Sequence, residues 1–532
     1  MKGTMAKWSK GILLLMAGLV IQGAGVCEMH AQSEASGKRL IAADVTKVKG
    51  PRDMAWQFCV GSAHAGLMLS QGNQEQLAQV RREIGFRFVR FHGIFTDDMH
   101  VYSERDGMAS YDWSKVDELY DKLLKLGIKP FVELSFMPKE LANGTQEIFY
   151  WHALVTPPKD TSKWTALVEA FTRHLQSRYG DPQVRTWYFE VWNEPNYPGF
   201  WPNANQEAYF KLYSATAAAI KSVNSEYRVG GPATAGAGWV PEFIAYSARE
   251  KAPVDFISTH TYAVSSGFLD ADGHADLVLS TAPDAISGDV KNVRQQILAS
   301  KRPDLPLHIT EWSASYSSRD PVHDSYTSAA FVLDKLKHAE GDAVSMSYWT
   351  YSDLFEENGP PPAAFHGGFG LLTWDDLPKA AYFSYRYLNL LGNTEIKNDD
   401  SASWVTRSGE NVEVLLWNYT PLKQDEGDKA FYRKLHVPAP VVPADLRLRG
   451  LAVGKYMLKI YRTGYQRNDA YSAYLAMGTP KDLDATQLRE LQRAVQNTPE
   501  YAAEVIMHSG GTFQRQIEMR ENDVVLVSIE KE

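Results

Sequence analysis

Eight short apolar segments alternate with amphipathic helical patterns between about residues 55 and 390, and no other feature narrows the folds open to this chain so far. The strand-like segments are Gln57–Ser62, Phe86–His92, Lys129–Ser135, Trp187–Asn193, Arg228–Pro232, Asp255–His260, Pro306–Glu311 and Val344–Tyr351. Helical patterns fill the intervals, among them Gln74–Ile84, Trp113–Leu126, Ser162–Arg178, Gln206–Val223, Val290–Leu298 and Ser328–His338. Leu167, Phe171, His174 and Leu175 carry the i, i+4, i+7, i+8 spacing of one buried helix face. Eight such units predict an α/β fold, a (β/α)8 TIM barrel over residues 55–391. The rival, an open doubly wound sheet, lacks its Gly-rich phosphate loop after the first strand.

Beyond residue 392 the pattern changes. Trp404–Ser408, Val412–Asn418, Lys434–Pro438, Leu451–Tyr461 and Asp523–Glu530 read as strands separated by turns, interrupted by one helical insert, Ala485–Val495. They predict a C-terminal β-sandwich domain over residues 392–532. Residues 32–54 precede the first barrel strand and are expected to pair with that sandwich. With 532 residues and a hydrophobic share of 44%, the chain can bury both cores.

Residues 1–31 read as a signal peptide. Lys2, Lys7 and Lys10 precede an apolar run from Ile12 to Ile21, about half the length of a membrane span, and small residues follow. Cleavage fits after Gly25 or after Ala31. The expectation is export to a periplasm or the medium, with no stable membrane insertion. Cys27 invites a lipid anchor, but Val26 is an unusual residue before a lipidated cysteine, so that reading is set aside. Cys59, the second of two cysteines, lies in an apolar strand and reads as a small core side chain. A net charge of -9 offers no basic surface for nucleic acid.

The chemistry is concentrated at two strand ends. Trp187-Tyr-Phe-Glu-Val-Trp-Asn-Glu-Pro-Asn196 is an apolar strand that stops at Glu194, with Asn193 before it and Pro195 behind it. Leu307-His-Ile-Thr-Glu-Trp312 repeats the plan with Glu311. Counting strands, Glu194 follows the fourth and Glu311 ends the seventh, so both project from the C-terminal face of a barrel. Two carboxylates facing one pocket suit glycosidic-bond hydrolysis. Glu311 is expected to be the ionised nucleophile, with Tyr262 as the donor that orients it and His260 close by. Glu194 is expected to be the acid/base, its pKa raised by the Glu311 charge. Asn193 is placed to hydrogen-bond a sugar 2-hydroxyl. Glu133 and Glu190 also lie in strands, and Glu190 is expected to point elsewhere and pair with an arginine or the backbone. No cluster of His, Cys and Asp has metal-ligand spacing, and the chemistry calls for no metal or other cofactor.

These residues resemble glycoside hydrolase family 39, a family of retaining barrel enzymes best known for β-xylosidases. The likeness extends to Cys59-Val-Gly-Ser62, Phe88-Val-Arg-Phe-His-Gly-Ile-Phe95, Phe136-Met-Pro138, Val155-Thr-Pro-Pro-Lys159, Gly230-Gly-Pro-Ala233, Ser347-Tyr-Trp-Thr350, Phe355-Glu-Glu357 and Phe365-His-Gly-Gly-Phe-Gly-Leu-Leu372. It runs from about residue 40 to the C-terminus. The resemblance implies Glu194 as acid/base and Glu311 as nucleophile, with Asn193, His260 and Tyr262 around the reacting sugar. It implies Trp349 as a wall of the pocket, and His92, Glu356 and Glu357 as partners of the sugar hydroxyls. Ser313-Ala-Ser315 stands where family β-xylosidases often carry Asn-Ser-Ser, which leaves the mechanism intact and loosens the choice of sugar.

The expected function is thus a retaining exo-β-xylosidase acting on xylo-oligosaccharide ends. The alternatives are the same mechanism on an arabino- or gluco-configured glycoside or an α-L-iduronide, or a carbohydrate-binding protein without catalysis. Glu356 and Glu357 speak against an iduronide by charge, while Arg90 and Arg319 keep it open. The partner is an oligosaccharide or glycoside. Self-association, aglycone preference and the role of the sandwich are not legible in the sequence.

Overall fold

The computed structural model of the chain describes residues 39–269 and 275–532. The expected signal peptide and Cys27 lie outside the described residues. Eight strands form a closed parallel barrel in chain order: β1 (Cys59–Gly61), β2 (Phe88–Phe91), β3 (Lys129–Leu134), β4 (Tyr188–Val191), β5 (Arg228–Thr234), β6 (Phe256–Tyr262), β7 (Leu307–Ser313) and β8 (Ser345–Tyr348). Pairing of Tyr348 with Val60 closes β8 onto β1. One long helix follows each strand: α1 (Gln71–Glu83), α2 (Ser114–Lys125), α3 (Thr161–Tyr179), α4 (Gln206–Val223), α5 (Val240–Glu250), α6 (Ser287–Leu298), α7 (Thr327–His338) and α8 (Ala380–Leu390). The barrel expected from periodicity is therefore the fold.

One local difference has a simple cause. Ala55–Phe58 is a helical turn, so β1 begins at Cys59 rather than Gln57. Gln57 is drawn out of the sheet by donating to the Ile84 carbonyl at 2.9 Å. Phe58 remains useful from the turn. With Phe88, Phe131, Tyr188, Phe256 and His308 it forms an apolar plug separate from the main core. Phe131 and Tyr188 stack at 5.1 Å, which closes this part of the barrel interior with ring area.

The C-terminal region holds a seven-stranded sheet and a three-stranded sheet. Residues 39–51 join both. Arg39–Asp44 pairs parallel with Pro440–Arg449, and Val48–Pro51 pairs antiparallel with Thr394–Ile396. Strand Asn411–Trp417 is apolar on two faces because both are covered. Val412, Val414 and Leu416 enter the core between the two sheets, while Leu415 and Trp417 belong to the barrel core. Val525, Val527 and Ile529 alternate with Val524 and Leu526 in the same way. The sandwich is thus packed on the barrel through a continuous apolar layer. The helical insert runs over Ala485–Ala494, with a capping box at Asp484 and Gln487. Among the described residues no helix is long and apolar enough to cross a membrane.

Candidate active site

The C-terminal ends of the barrel strands surround a cavity of about 1200 Å³. Its lining includes His92, Asn193, Glu194, Tyr262, Glu311, Trp349 and Glu357. Of the residues singled out in the sequence, these seven come together. His260 lies behind them, fully buried, and contacts both central glutamates. Glu356 does not join the lining; its backbone turns through a φ of +60°, and the neighbouring Glu357 is the one facing the cavity.

Glu311 is held from both sides. Arg90 Nη1 donates to one carboxylate oxygen at 2.7 Å, and the Tyr262 hydroxyl donates to the other at 2.8 Å. Burial, followed by the Glu311 charge, pushes the Tyr262 phenol well above its usual range, so it stays a donor. Glu194 sits just past β4 with a φ of +43°, after Trp192 at +71°. Two successive turns of this kind are costly for residues with a Cβ, and the loop is pinned to hold them. The Glu194 amide donates to the Ala233 carbonyl at 2.8 Å, and Asn196 exchanges two hydrogen bonds with the Ala235 backbone.

His260 Nδ1 lies 2.9 Å from Glu194 and 3.4 Å from Glu311. Burial lowers its pKa to about 4, so at neutral pH it is an uncharged ring. The nitrogen between two carboxyl groups then carries the proton and donates. Glu194, His260 and Glu311 each bring one donor atom within 4.8 Å of the others. This is the group of metal-type donors present among the described residues. Its charge is already balanced by Arg90, and Glu311 is already satisfied by two donors.

Burial raises the Glu194 carboxyl to about 7. The sequence expectation had the direction right and the cause wrong. Loss of water is the main effect, with the Glu133 charge adding to it, while His92 and Arg90 oppose. Burial also pushes Glu357 well above the usual carboxylate range, helped by Glu311 and Glu194.

Sequence reasoning missed the hub of the site. Arg90, fully buried on β2, donates from Nε to Glu190 at 2.6 Å and from Nη2 to Asn193 at 3.0 Å. Its Nη2 also lies 2.7 Å from Glu133, and its guanidinium sits 5.7 Å from the Trp349 ring centre. Glu190 takes a second bond from Thr310 at 2.9 Å, so it pairs with an arginine as expected. Burial alone would raise Glu133, but the Arg90 and His92 charges more than offset it and hold it ionised. Glu133 in turn binds His92 Nδ1 at 2.8 Å, which points Nε2 toward Glu357 at 4.0 Å and Glu311 at 3.9 Å. One signal was available. Glu133 and Glu190 face each other in register on adjacent apolar strands, and two buried like charges demand a cation between them.

Trp349 lies across the cavity because β1 offers it no side chain at Gly61. A Cβ there would sit 2.2 Å from the indole Cε3.

A closed parallel barrel carrying two opposed carboxylates at the ends of β4 and β7 is the architecture of a glycosidase. The family model described as glycosyl hydrolases family 39 matches residues 39–513. A β-xylosidase from Geobacillus stearothermophilus is 36% identical over 484 residues, spanning 90% of this chain and 92% of that protein. The crystal structure of a monomeric β-xylosidase from Caulobacter crescentus shares 47% identity and superposes with a TM-score of 0.90, covering 93% of this chain and 99% of that one. A family 39 enzyme from Xanthomonas axonopodis pv. citri shares 45% identity with a TM-score of 0.91, covering 93% and 98%. This chain belongs to glycoside hydrolase family 39.

Proposed function

We propose that the protein is a retaining exo-β-xylosidase that releases xylose from the non-reducing ends of xylo-oligosaccharides. The observation that carries this reading is the pairing of Glu311, held between the Arg90 and Tyr262 donors, with a Glu194 carboxyl raised to about 7, their oxygens within 4.8 Å. Double displacement calls for carboxyl groups about 5–5.5 Å apart, and an inverting pair would need roughly 6.5–9.5 Å for its water. Glu311 attacks the anomeric carbon while Glu194 gives its proton to the departing oxygen. The glycosyl ester neutralises Glu311, and Glu194 then takes a proton from the incoming water. Asn193, fixed by Arg90, is placed to bind the 2-hydroxyl as positive charge develops on the ring.

Exo cutting is supported by the inner wall of the cavity, where the buried His92 and Trp349 stand beside Glu357. An uncharged sugar is supported by the local cations. Arg90 is committed to three carboxylates, and Arg319 donates to the Asn358, Gly359 and Pro360 carbonyls at 2.7, 3.2 and 3.3 Å. Arg90 is therefore not available to a uronate bound at the reaction centre. The β-xylosidase relatives at 36% and 47% identity point to xylose.

Hydrolysis of a panel of p-nitrophenyl glycosides, with product anomers followed by NMR, tests the reading. β-Xylose as the first product from the β-xyloside is expected. α-Xylose first would sink the retaining mechanism, and exclusive activity on another sugar would sink the substrate.

The Glu194 carboxyl gives a second expectation. A carboxyl raised to about 7 is loaded below that pH and empties above it. The kcat/KM profile should therefore fall as pH rises through about 7. The limb should be present on xylobiose and absent on dinitrophenyl xyloside, whose leaving group needs no proton, and Glu194→Gln should remove it on xylobiose while losing on the order of 10²–10⁴-fold there. A limb that persists in the variant would assign it to another group.

A further inference from the structure

At about 1200 Å³ the cavity is larger than the about 300–1,000 Å³ of an ordinary ligand site. Shortly after each central glutamate in the chain, its lining takes in a tyrosine unusually open to solvent for a large ring. Tyr197, three residues after Glu194, is 43% exposed, and Tyr316, five residues after Glu311, is 50% exposed. Tyr316 rests edge-on against Tyr262 at 6.2 Å, so its position is tied to the nucleophile's own donor. Exposed rings anchored beside a reaction centre offer flat apolar area to the C–H face of a second sugar.

The rim has one further feature that a neutral disaccharide would leave unused. Lys429 lines the cavity and makes no ion pair among the described residues. It comes from the C-terminal region, on the short helix Asp428–Phe431, and that helix is seated firmly. Asp428 is buried, and the adjoining Gly427 packs so tightly that a Cβ would meet the Asp276 carboxylate at 2.1 Å. A half-buried ammonium is thus held facing the cavity. Arg319, also in the lining, gives one guanidinium nitrogen to the Asn358, Gly359 and Pro360 carbonyls and is a second cation on this rim.

We propose that this part of the cavity is a leaving-group subsite for a sugar bearing a carboxylate, with Tyr197 and Tyr316 as its walls and Lys429 as its counter-ion. The inference rests on the β-xylosidase reading and extends it: the substrate class is an acidic xylo-oligosaccharide, a terminal xylose whose neighbour carries a uronate branch. Charge is sorted by depth. At the reaction centre Arg90 is committed to three carboxylates, while Lys429 at the rim makes no ion pair among the described residues and faces the acid.

Three substrates separate the outcomes for the full-length enzyme: p-nitrophenyl β-xyloside, xylobiose, and xylobiose with a glucuronate on the reducing-end xylose. The expected result at low salt is a kcat/KM about three- to fivefold higher for the acidic substrate than for xylobiose, shrinking as salt is added. Lys429→Glu should invert that ratio, and Lys429→Met should bring it to about one. Tyr316→Ala should raise KM for both disaccharides and leave their ratio as in the wild type, showing that wall and counter-ion act separately. Equal kcat/KM for the two disaccharides in the wild type, or a preference untouched by Lys429→Glu, overturns the inference while p-nitrophenyl xyloside turnover leaves the xylosidase reading standing. Loss of turnover on all three substrates in the wild type overturns both.

Discussion

Replacing Glu311 with alanine should lower xyloside turnover on the order of 10⁵-fold for every leaving group, because no bond to the anomeric carbon can then form on the enzyme. The loss should not depend on leaving-group acidity, which is what separates a nucleophile from an acid. The substitution opens a cavity lined by Arg90 Nη1, the Tyr262 hydroxyl and His260, which lie at 2.7, 2.8 and 3.4 Å from the missing carboxylate. That is an anion site with its donors already in place. Added azide should occupy it, attack from the same face as the lost carboxylate, and expel the leaving group with the Glu194 proton. The product should be α-xylosyl azide. Glu194→Ala with azide should instead give the β-azide, since there the glycosyl ester forms first and azide replaces water. Appearance of the β-azide from the Glu311 variant would reverse the two assignments. Removing Glu311 also leaves two buried donors without an acceptor, a stability cost of about 1–3 kcal/mol. A folding control by near-UV circular dichroism therefore belongs with the kinetics.

How much of this was legible in the sequence depends on how local each feature is. The strands and helices were legible because barrel strands are short and apolar and each helix repeats one face. In the barrel only edges slipped, as at Gln57, where a side-chain bond to a distant carbonyl overrides local preference. In the sandwich the expected strand Lys434–Pro438 is irregular chain, with the strand running instead over Pro440–Arg449, and Tyr501–Met507 and Phe513–Arg520 are strands not foreseen, their exposed faces carrying charged residues that blur the alternation. The two glutamates were legible because each ends an apolar strand, and barrel geometry alone brings strand ends together. The Glu311 clamp was half legible. Tyr262 could be placed by its nearness to the end of β6, whereas Arg90 sits inside β2 among apolar neighbours and looks like a misplaced charge. Its meaning appears only when Glu133, Glu190, Asn193 and Glu311 arrive from three other strands or strand ends. Glu356 and Glu357 show the opposite limit. Two identical residues stand side by side, and a left-handed turn at the first accompanies the second facing the cavity. Lys429 lay furthest from view, since nothing in the local pattern of the sandwich tells that one of its loops reaches the barrel's mouth.

Arg90→Met should be the most destabilising single change in the site, and the reason is a charge count. Arg90 is fully buried and contacts Glu133, Glu190 and Glu311 at 2.7, 2.6 and 2.7 Å, with both of the first two carboxylates buried completely. Removing one partner from a buried ion network leaves uncompensated charge, at a cost of about 3–5 kcal/mol. Here three carboxylates lose the same cation, so the neighbouring groups should take up protons to survive folding. Stability of the variant should therefore improve as pH falls from 8 toward 5, opposite to the behaviour of a protein whose carboxylates are well paired. Activity should fall with it, because a protonated Glu311 is not a nucleophile, and the acid limb of kcat/KM should move to higher pH. Arg90→Lys separates charge from geometry. An ammonium restores one positive charge but cannot bind Glu190 along one edge and Glu311 and Glu133 along another. It should recover much of the melting temperature and little of kcat, since Asn193 loses the donor that now fixes its amide at 3.0 Å. Equal recovery of both would show that Arg90 matters only as a charge. A methionine variant with unchanged melting temperature between pH 5 and pH 8 would show that the three carboxylates find other partners.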